Sequence, residues 1–489
     1  MIENRFMKKV SLYIGLALFF AFTSCTEYLD VKDKGQVIPE TAEEFSALIH
    51  NHLRNIDEGN DYAILGAYTT TVSYEGYSDN LDGDLNTTDR VPLYVGTDIN
   101  SMTTRYGTLY SVIKDCNIIL DNLEDQTSEL GKKTMAIAYA LRGICYYNLM
   151  RAYCEPYDKA KVSTMNGVPL VVTFDMEGKP ARSTMQETID FIINDLTTAI
   201  KMNQADKQYR FDVNVMKFYL ARTYFWTQEW ELAAATAKEV LDVYPLVKGE
   251  EYVAMMQSEV DQKGNELLRS GIKKHLGYTD LEFGYVQGRP VSQGLIDLFT
   301  EKENDIRFDL FFTKKLLNRK ALRSVIRSAE MCLIMAESYA HLNNTKDALY
   351  YLNLIRSHRI SPYTDYTESS LPVVDQNALI QTDATGKALT PLLAAILNER
   401  RKEFYMENGD RWFELKRNGC PEFWWGYAGV KYETQKFLYT FPLPKSDIAL
   451  NPALEQNPGY DVYELKRDRY EDNKIYNRDN STCFFLDGM

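Results

Sequence analysis

Apolar side chains recur at helical spacing along most of this 489-residue sequence. Capping boxes at residues 41–44 and 184–187 each predict a helix start, because the threonine and glutamate side chains satisfy backbone amides that the first turn leaves free. Further helices are expected at residues 102–123 and 132–154. The helix that starts near residue 184 has an apolar face formed by Ile189, Ile192, Ile193, Leu196 and Ile200. The pattern predicts an all-α protein, mostly helical with long loops.

Two later segments repeat small and aromatic residues at the offsets of tetratricopeptide hairpins. Small residues let two antiparallel helices approach closely, and a tyrosine fills the wedge between them. Generic helical hairpins would explain the helices but not the repeated register, so the pattern favours tetratricopeptide-like units. They are 115 residues apart at their anchor positions, Asn214 and Ala329, and therefore not in tandem. The matching positions are Leu220, Ala221, Tyr224, Ala233 and Pro245 in the first unit, and Met335, Ala336, Tyr339 and Ala348 in the second.

The helical period fails in several places, where loops are expected instead. Residues 74–89 are crowded with Gly, Asp, Asn, Thr and Tyr, which predicts a long loop of the kind that is usually functional or disordered. One more helix is expected to end over residues 404–416, and the tail from Pro442 onward is predicted to be loop.

The N-terminal segment has the pattern of an export signal. Lys8 and Lys9 precede 13 uncharged, mostly apolar residues, which are too few to span a bilayer but suit a secretory signal. Small residues then lead to Cys25, an arrangement that resembles a bacterial lipobox. We therefore expect residues 1–24 to be a signal peptide and Cys25 to be lipidated, anchoring the chain to a membrane that it does not span. The alternative is an ordinary signal peptide that is cleaved elsewhere.

Charge and motifs exclude several classes of function. The 69 acidic and 55 basic side chains give a net charge of −14, which argues against nucleic-acid binding. The five histidines are scattered, and no nucleotide-binding, zinc-protease or serine-hydrolase motif occurs. Carboxylates are plentiful, so a glycosidase pair could be present among them, but the sequence singles none out. A disulfide between Cys145 and Cys154 stays open, although one helix would separate them by about 13 Å.

Two acidic groups invite a functional interpretation. Glu399, Glu403 and Glu407 recur at four-residue spacing with Arg400 and Arg401 between them, and a salt-bridged helix face explains them better than catalysis does. The other group resembles part of a calcium loop and lacks its downstream glutamate, so calcium is an open option without support and no cofactor is expected. Its members are Asp79, Asp82 and Asp84.

Six blocks in order resemble the SusD/RagB family of outer-membrane nutrient-binding lipoproteins. The most specific is NERRKEFYMENGDRWFELKR at residues 398–417, which is similar to the C-terminal signature of the family. The signature itself has the character of a structural element, with Phe404, Trp412, Phe413 and Leu415 expected to be buried. Its arginines Arg400, Arg401, Arg411 and Arg417 are expected to bind carboxylates or helix ends. The other blocks lie at residues 25–35, 140–153, 289–307, 350–359 and 441–460.

The resemblance implies one α-rich domain over residues 25–489, with an N-terminal part to about residue 270 and a C-terminal part from about residue 289. It also implies a lipoprotein on the outer face of the outer membrane that binds oligosaccharides, or peptides as in the RagB branch. Such a protein is not an enzyme, and it passes its ligand to a SusC-like TonB-dependent transporter. The rival classes are a secreted glycoside hydrolase and a tetratricopeptide adaptor.

Aromatic and Gly-rich segments outside the helical period are the predicted ligand-binding face. A sugar ring stacks its C–H face on Tyr or Phe, while Asp and Asn accept hydrogen bonds from its hydroxyl groups. Some of these rings are expected only to pack the loops onto the scaffold. The candidates are Tyr74, Tyr77, Asp79, Asn80, Asp82, Tyr94, Tyr278, Phe283 and Tyr285, with Trp424 and Trp425 as a weaker group.

Overall fold

Helices form the body of the protein in the computed structural model. The structure describes residues 39–61, 63–66, 68–82, 95, 99–173, 175, 177–258, 261–271, 290–427, 430–460 and 483–485. The predicted lipidation site Cys25 and its signal peptide lie outside these residues. The helices are α1 (Ala42–Glu58), α2 (Tyr68–Tyr77), α3 (Ile99–Asn122), α4 (Glu129–Tyr153), α5 (Met185–Met202), α6 (Val213–Trp226), α7 (Trp230–Val243), α8 (Gly249–Gln257), α9 (Gln293–Ile296), α10 (Ile306–Phe311), α11 (Ala329–His341), α12 (Thr345–Ser357), α13 (Pro391–Glu403), α14 (Asp410–Arg417) and α15 (Lys445–Leu450).

Consecutive helices pack as a series of hairpins. α3 packs on α4, α4 on α5, α5 on α6 and α6 on α7, while α1 also packs on α4. Of these, α4 is the most central, since most of its side chains are buried. The predicted capping box forms at the start of α5, where Thr184 Oγ1 accepts from the Glu187 amide at 3.1 Å and the Glu187 carboxylate accepts from the Thr184 amide at 2.8 Å.

The two tetratricopeptide-like units are confirmed and lie next to each other. The first is the pair α6 and α7, the second is the pair α11 and α12, and α11 packs on both α7 and α12. The four small residues at the helix contacts, Ala221, Ala233, Ala336 and Ala348, are fully buried. Units far apart in the sequence therefore join into one helical array in the fold.

Short strands add two small antiparallel sheets to the helices. In the first, β1 (Glu266–Arg269) pairs with β2 (Val325–Arg327), with Glu266 opposite Arg327. In the second, β3 (Phe423–Tyr427) lies between β4 (Val430–Thr434) and β5 (Cys483–Phe485). The tail that was predicted to be loop from Pro442 onward contains α15, so that prediction is wrong in part.

The signature at residues 398–417 is two helices and not the single helix expected from its periodicity. α13 ends at Glu403 and α14 begins at Asp410, because Met406, Asn408 and Gly409 have φ angles of 60°, 55° and 66°. At Gly409 a side chain is excluded for a second reason, since a Cβ atom there would overlap Cβ of Tyr74. The turn lets α14 pack on α2.

Side chains of the signature bind other elements, as predicted. Phe404, Trp412, Phe413 and Leu415 are at most 4% exposed. All four arginines contact carboxylates. Arg400 contacts Asp410 at 2.5 Å and Arg417 contacts Glu337 at 2.7 Å, while Asp79 lies 2.6 Å from Arg411 and 3.1 Å from Arg401.

Lys416 adds a helix cap that the sequence did not indicate. Its buried Nζ donates to the carbonyl oxygens of Arg151 and Cys154, both at 2.7 Å, at the C-terminal end of α4. A cation is favourable there because the last carbonyls of a helix lack partners and carry partial negative charge. Burial lowers the pKa of Lys416 to about 8.

The acidic stripe of the signature is buried, which corrects the expectation of a salt-bridged helix face paired with its own arginines. Glu399, Glu403 and Glu407 are at most 2% exposed. Their cations come mainly from other parts of the chain, since a carboxylate without water needs a partner within reach. The closest of these cations are Arg307 of α10, Lys320, Arg327 of β2, Arg359 and, on α13 itself, Lys402.

Glu403 is the centre of this buried network. Its carboxylate lies 2.5 Å from Arg327, 2.8 Å from Arg359 and 3.0 Å from Arg307. Burial alone would raise the pKa of Glu403, but Arg359 and Arg327 outweigh it and hold this pKa well below its usual range. Burial is outweighed in the same way at the other two glutamates. Arg307 is the main cation that lowers the pKa of Glu399 to about 2, and Arg327 is the main cation that lowers the pKa of Glu407 to about 2.

Enlarging the small residues at the hairpin contacts is expected to destabilise the fold. Ala221→Leu and Ala336→Leu should each lower the free energy of unfolding by about 1–3 kcal/mol, because a packed core resists added volume. Urea denaturation measures this, with Ala235→Leu on the exposed side of α7 as the control. Unchanged stability in both core variants would contradict the hairpin packing.

Loss of the central carboxylate is expected to be more damaging. Glu403→Gln should lower the free energy of unfolding by about 3–5 kcal/mol, because it leaves buried arginines uncompensated. In contrast, Glu124→Gln at an exposed position should have almost no effect.

Acid should weaken the same network in the wild type. Folded pKa values below the ordinary 4.5 mean that the stabilisation is complete above about pH 4.5 and is lost as the pH falls toward 2. Urea midpoints measured between pH 6 and pH 2 should fall in that window, and less steeply in Glu403→Gln than in the wild type. Equal slopes would show that the network does not carry the acid sensitivity.

Candidate functional site

One end of each segment that is predicted to bind ligand lies at the same edge of the structure. Leu81 and Val291 form an isolated antiparallel bridge. On either side of it the Asp82 amide donates to the Pro290 carbonyl and the Ser292 amide donates to the Asn80 carbonyl, both at 2.9 Å. The chain therefore enters residues 83–94 next to the point at which it leaves residues 272–289. Tyr94, Tyr278, Phe283 and Tyr285 lie outside the described residues.

A cavity of about 380 Å³ lies beside this edge. One wall is a face of α13, a second is the segment around α9, and a third comes from residues 374–389. Its floor is apolar and its rim is polar, which is the usual composition of a site for a small ligand. The floor includes Leu298, Leu379, Ile380 and Leu397, and the rim includes Asp82, Gln293, Asp297, Asp375, Asn377 and Asn398.

Asp79 forms ion pairs with the two arginines that line the cavity. Its carboxylate accepts from Arg411 Nε at 2.6 Å and Arg411 Nη2 at 2.9 Å, and it lies 3.1 Å from Arg401 Nη2. Burial opposes the charge of Asp79, but Arg401 and Arg411 prevail and lower its pKa to about 2. Asp79 therefore lines the cavity as an ion pair that persists at neutral pH.

Asn80 links Arg401, which lines the cavity, to the buried side chain of Glu75. It is fully buried, its Oδ1 accepts from Arg401 Nε at 2.9 Å, and its Nδ2 donates to Glu75 Oε1 at 2.7 Å. Burial raises the pKa of Glu75 to about 7, against the opposing effect of the Asn80 hydrogen bond. Asn80 thus orients Arg401 and offers no open amide to a ligand, which corrects its assignment as a ligand contact.

Tyr74 and Tyr77 are core residues and not loop residues. They belong to the last turns of α2, and each side chain is 4% exposed. The Tyr74 ring packs edge-on against Phe413 at 4.9 Å, and the Tyr77 ring packs against Trp412 at 5.5 Å between ring centres. Neither ring has a face open for stacking on a sugar, so their assignment as ligand contacts is corrected.

The tryptophan pair lies elsewhere in the fold. Trp424 and Trp425 belong to β3, where they stand opposite Glu433 and Tyr432 of β4. Trp424 is half-buried and does not belong to the described lining of the cavity. The structure therefore brings Asp79 and Asp82 to the cavity and leaves Trp424 away from it.

Several rim residues were missed by sequence reasoning. Gln293 and Asp297 fall inside the block at residues 289–307, which was interpreted only as a family resemblance. Asp375 and Asn377 belong to a polar turn in which the Asp375 carboxylate accepts from the Asn377 amide at 2.9 Å. A cluster of turn-forming residues was the available signal, but nothing in it indicates which wall the turn faces.

Metal binding gains no support from the described residues. There, no group of three or more His, Cys, Asp or Glu side chains is arranged to hold an ion. Both carboxylate oxygens of Asp79 accept from Arg411, while Asp84 lies outside the described residues. His50 and His52 contact Asp206 and Asp115, at 2.8 and 3.0 Å.

The described residues also bear on a disulfide between Cys145 and Cys154 and on membrane-spanning helices. Cys116, Cys145, Cys154, Cys332 and Cys420 are free and buried, so no bond joins Cys145 to Cys154. In the same part of the chain, no helix has both the length and the apolar character needed to cross a bilayer.

Comparison with known families identifies the class of this protein. Residues 27–225 match the model of a family described as starch-binding and associating with the outer membrane, called SusD-like, and residues 313–460 match the model of the SusD family. The chain belongs to the SusD/RagB family. No curated protein sequence matches it significantly.

Solved structures agree with this assignment at the level of the fold. A SusD superfamily protein from Bacteroides vulgatus has a TM-score of 0.67 and 19% identity, covering 86% of this chain and 100% of its own. A SusD superfamily protein from Bacteroides thetaiotaomicron has a TM-score of 0.63 and 18% identity, and it also covers 86% of this chain and 100% of its own. A putative sugar binding protein from Bacteroides vulgatus has a TM-score of 0.63 and 21% identity, covering 87% of this chain and 100% of its own.

Removing a buried ring beside the site should affect folding first. Tyr77→Ala is expected to lower the free energy of unfolding by roughly 3–5 kcal/mol, the range for aromatic-to-alanine changes in a core. The control is Tyr350→Ala, because Tyr350 is 57% exposed on α12. Differential scanning calorimetry of both variants makes the comparison, and wild-type stability of Tyr77→Ala would return this ring to the list of ligand contacts.

Proposed function

We propose that this protein binds oligosaccharides at the cavity between α9, α13 and residues 374–389. The observation that carries the proposal is the position of that cavity, beside the edge where the chain enters residues 83–94 and leaves residues 272–289. Its apolar floor suits the C–H face of a sugar, and its carboxylate and amide rim suits the hydroxyl groups. The family model described as starch-binding and the structural relative described as a putative sugar binding protein support a carbohydrate over a peptide.

We further propose a setting for this binding. The lipobox-like sequence ending at Cys25 supports a lipid anchor, and membership of the family supports an outer-membrane location that faces the exterior. The ligand would then pass to a SusC-like TonB-dependent transporter. Binding without turnover is expected, because the SusD family is one of binding proteins.

The binding proposal is tested by a plugging substitution in the cavity wall. Gly294 is exposed in α9 and lines the cavity, and the nearest atom to an added Cβ is a guanidinium nitrogen of Arg401 at 3.9 Å. Gly294→Trp should therefore fold normally and fill the cavity. Gly107→Trp is a matched control, because Gly107 is an exposed helical glycine with nothing within 4 Å of an added Cβ.

The measurement begins with the detergent-purified full chain on an array of oligosaccharides and peptides. Calorimetry with a glycan that binds should give at least about a tenfold loss of affinity for Gly294→Trp, and none for Gly107→Trp. Wild-type affinity of a folded Gly294→Trp would remove the cavity from the proposal. Binding to peptides alone would favour the RagB-type alternative, and release of new reducing ends from the glycan would favour a hydrolase.

The anchor and the transporter are tested separately. Cys25→Ala should shift the protein from the membrane fraction to the medium or periplasm, and retention in membranes would contradict the lipid anchor. Copurification from outer-membrane extracts should recover a TonB-dependent transporter, and its absence under mild detergent would contradict the partnership.

A further inference from the structure

The described lining of the cavity carries more negative than positive charge. It contains four carboxylates and two guanidinium groups, a formal balance of −2 at neutral pH. The carboxylates are those of Asp79, Asp82, Asp297 and Asp375, and the guanidinium groups are those of Arg401 and Arg411.

Both cations are already engaged by the wall of the cavity. Arg411 makes a two-pronged contact with Asp79, which is the strongest geometry available to a guanidinium and a carboxylate. Arg401 contacts the same carboxylate at 3.1 Å, and it donates to Asn80 Oδ1 and to the Asp79 carbonyl, both at 2.9 Å. An anionic ligand would have to compete with Asp79 for each of them.

Two of the carboxylates, by contrast, are exposed at the rim. Asp297 accepts from Gln293 Nε2 at 2.6 Å, and Asp375 accepts from the Asn377 amide at 2.9 Å. Within the described part of the chain, neither of them lies in an ion pair. Each has lone pairs that can accept from a neutral donor such as a sugar hydroxyl.

The two segments that adjoin this edge have small net charges in the sequence. Residues 83–94 contain two acidic side chains and one basic side chain, a net charge of −1. Residues 272–289 contain three basic and two acidic side chains, a net charge of +1 with His275 neutral. The two net charges sum to zero.

We propose that the ligand of this cavity is an uncharged oligosaccharide, and that glycans bearing carboxylate or sulfate groups are rejected. This inference rests on the proposed function and specifies its ligand class. A charge on the glycan would lie near Asp297 and Asp375 with like sign, and like charges at an interface disfavour a wrong partner. Hydroxyl groups, in contrast, donate to the same two carboxylates.

The test uses ligands that differ only in charge. The probes are gluco-, manno- and galacto-oligosaccharides and the same oligomers after oxidation of C6 to the carboxylate. The wild type should bind at least one neutral oligomer, and its oxidised form at least about tenfold more weakly. The difference should shrink in 0.5 M NaCl, because salt screens exposed charges.

A double variant assigns the discrimination to the rim. Asp297→Asn with Asp375→Asn should reduce the preference for the neutral oligomer over its oxidised form by about tenfold. Asp190→Asn with Asp261→Asn removes two exposed carboxylates that do not line the cavity, and it should leave the preference unchanged.

The possible failures are distinct. Equal or tighter binding of the oxidised oligomers would overturn the ligand class while leaving glycan binding intact, and so would an unchanged preference in the rim variant. Absence of binding to any glycan of a wider array would overturn the proposed function itself, and the ligand class with it.

Discussion

A buried carboxylate, Glu403, determines how the C-terminal half of this protein is assembled. Removed from water, it is stable as an anion only while several cations surround it, and the structure supplies Arg307, Arg327 and Arg359. These arginines lie on α10, on β2 and just after α12. Satisfying one charge therefore fixes where three elements meet α13, which non-directional apolar packing could not specify as narrowly.

The same helix connects this network to the cavity. Glu399 and Glu403 lie on the side of α13 that faces the arginines, whereas Ala394, Leu397, Asn398 and Arg401 line the cavity. The latter four positions follow the 3, 4 and 7 spacing of one helical face. The cavity wall is thus the reverse side of a helix that is held by buried ion pairs, and this rigidity favours binding without a large rearrangement.

Local patterns predicted what local physics determines. The capping box at Thr184 and the buried alanines Ala221 and Ala336 are as expected, because each depends on neighbours within one hairpin. The burial of Glu403 was not predicted, since Arg307 lies 96 residues away and charge at helical spacing ordinarily indicates a solvated face. The break after Glu403 was missed for a related reason. The contact of Gly409 with Tyr74 depends on tertiary packing, which also explains why Tyr74 was mistaken for a loop residue.

The prediction of a ligand site rests only on departures from helical periodicity, and that limit has a physical basis. The residues that identify the family bury their charges within the scaffold, as Arg411 does against Asp79 and Lys416 does against the end of α4. They help to hold the edge at which one end of each predicted ligand-binding segment lies, but they leave few groups to contact a ligand. Family resemblance therefore predicts the scaffold, whereas the chemistry of the proposed ligand depends on side chains such as Asp297 and Asp375, which contribute little to the fold. Because these rim positions are exposed and lie outside the buried network, their charge can change without loss of the scaffold, and one fold can serve ligands of different charge.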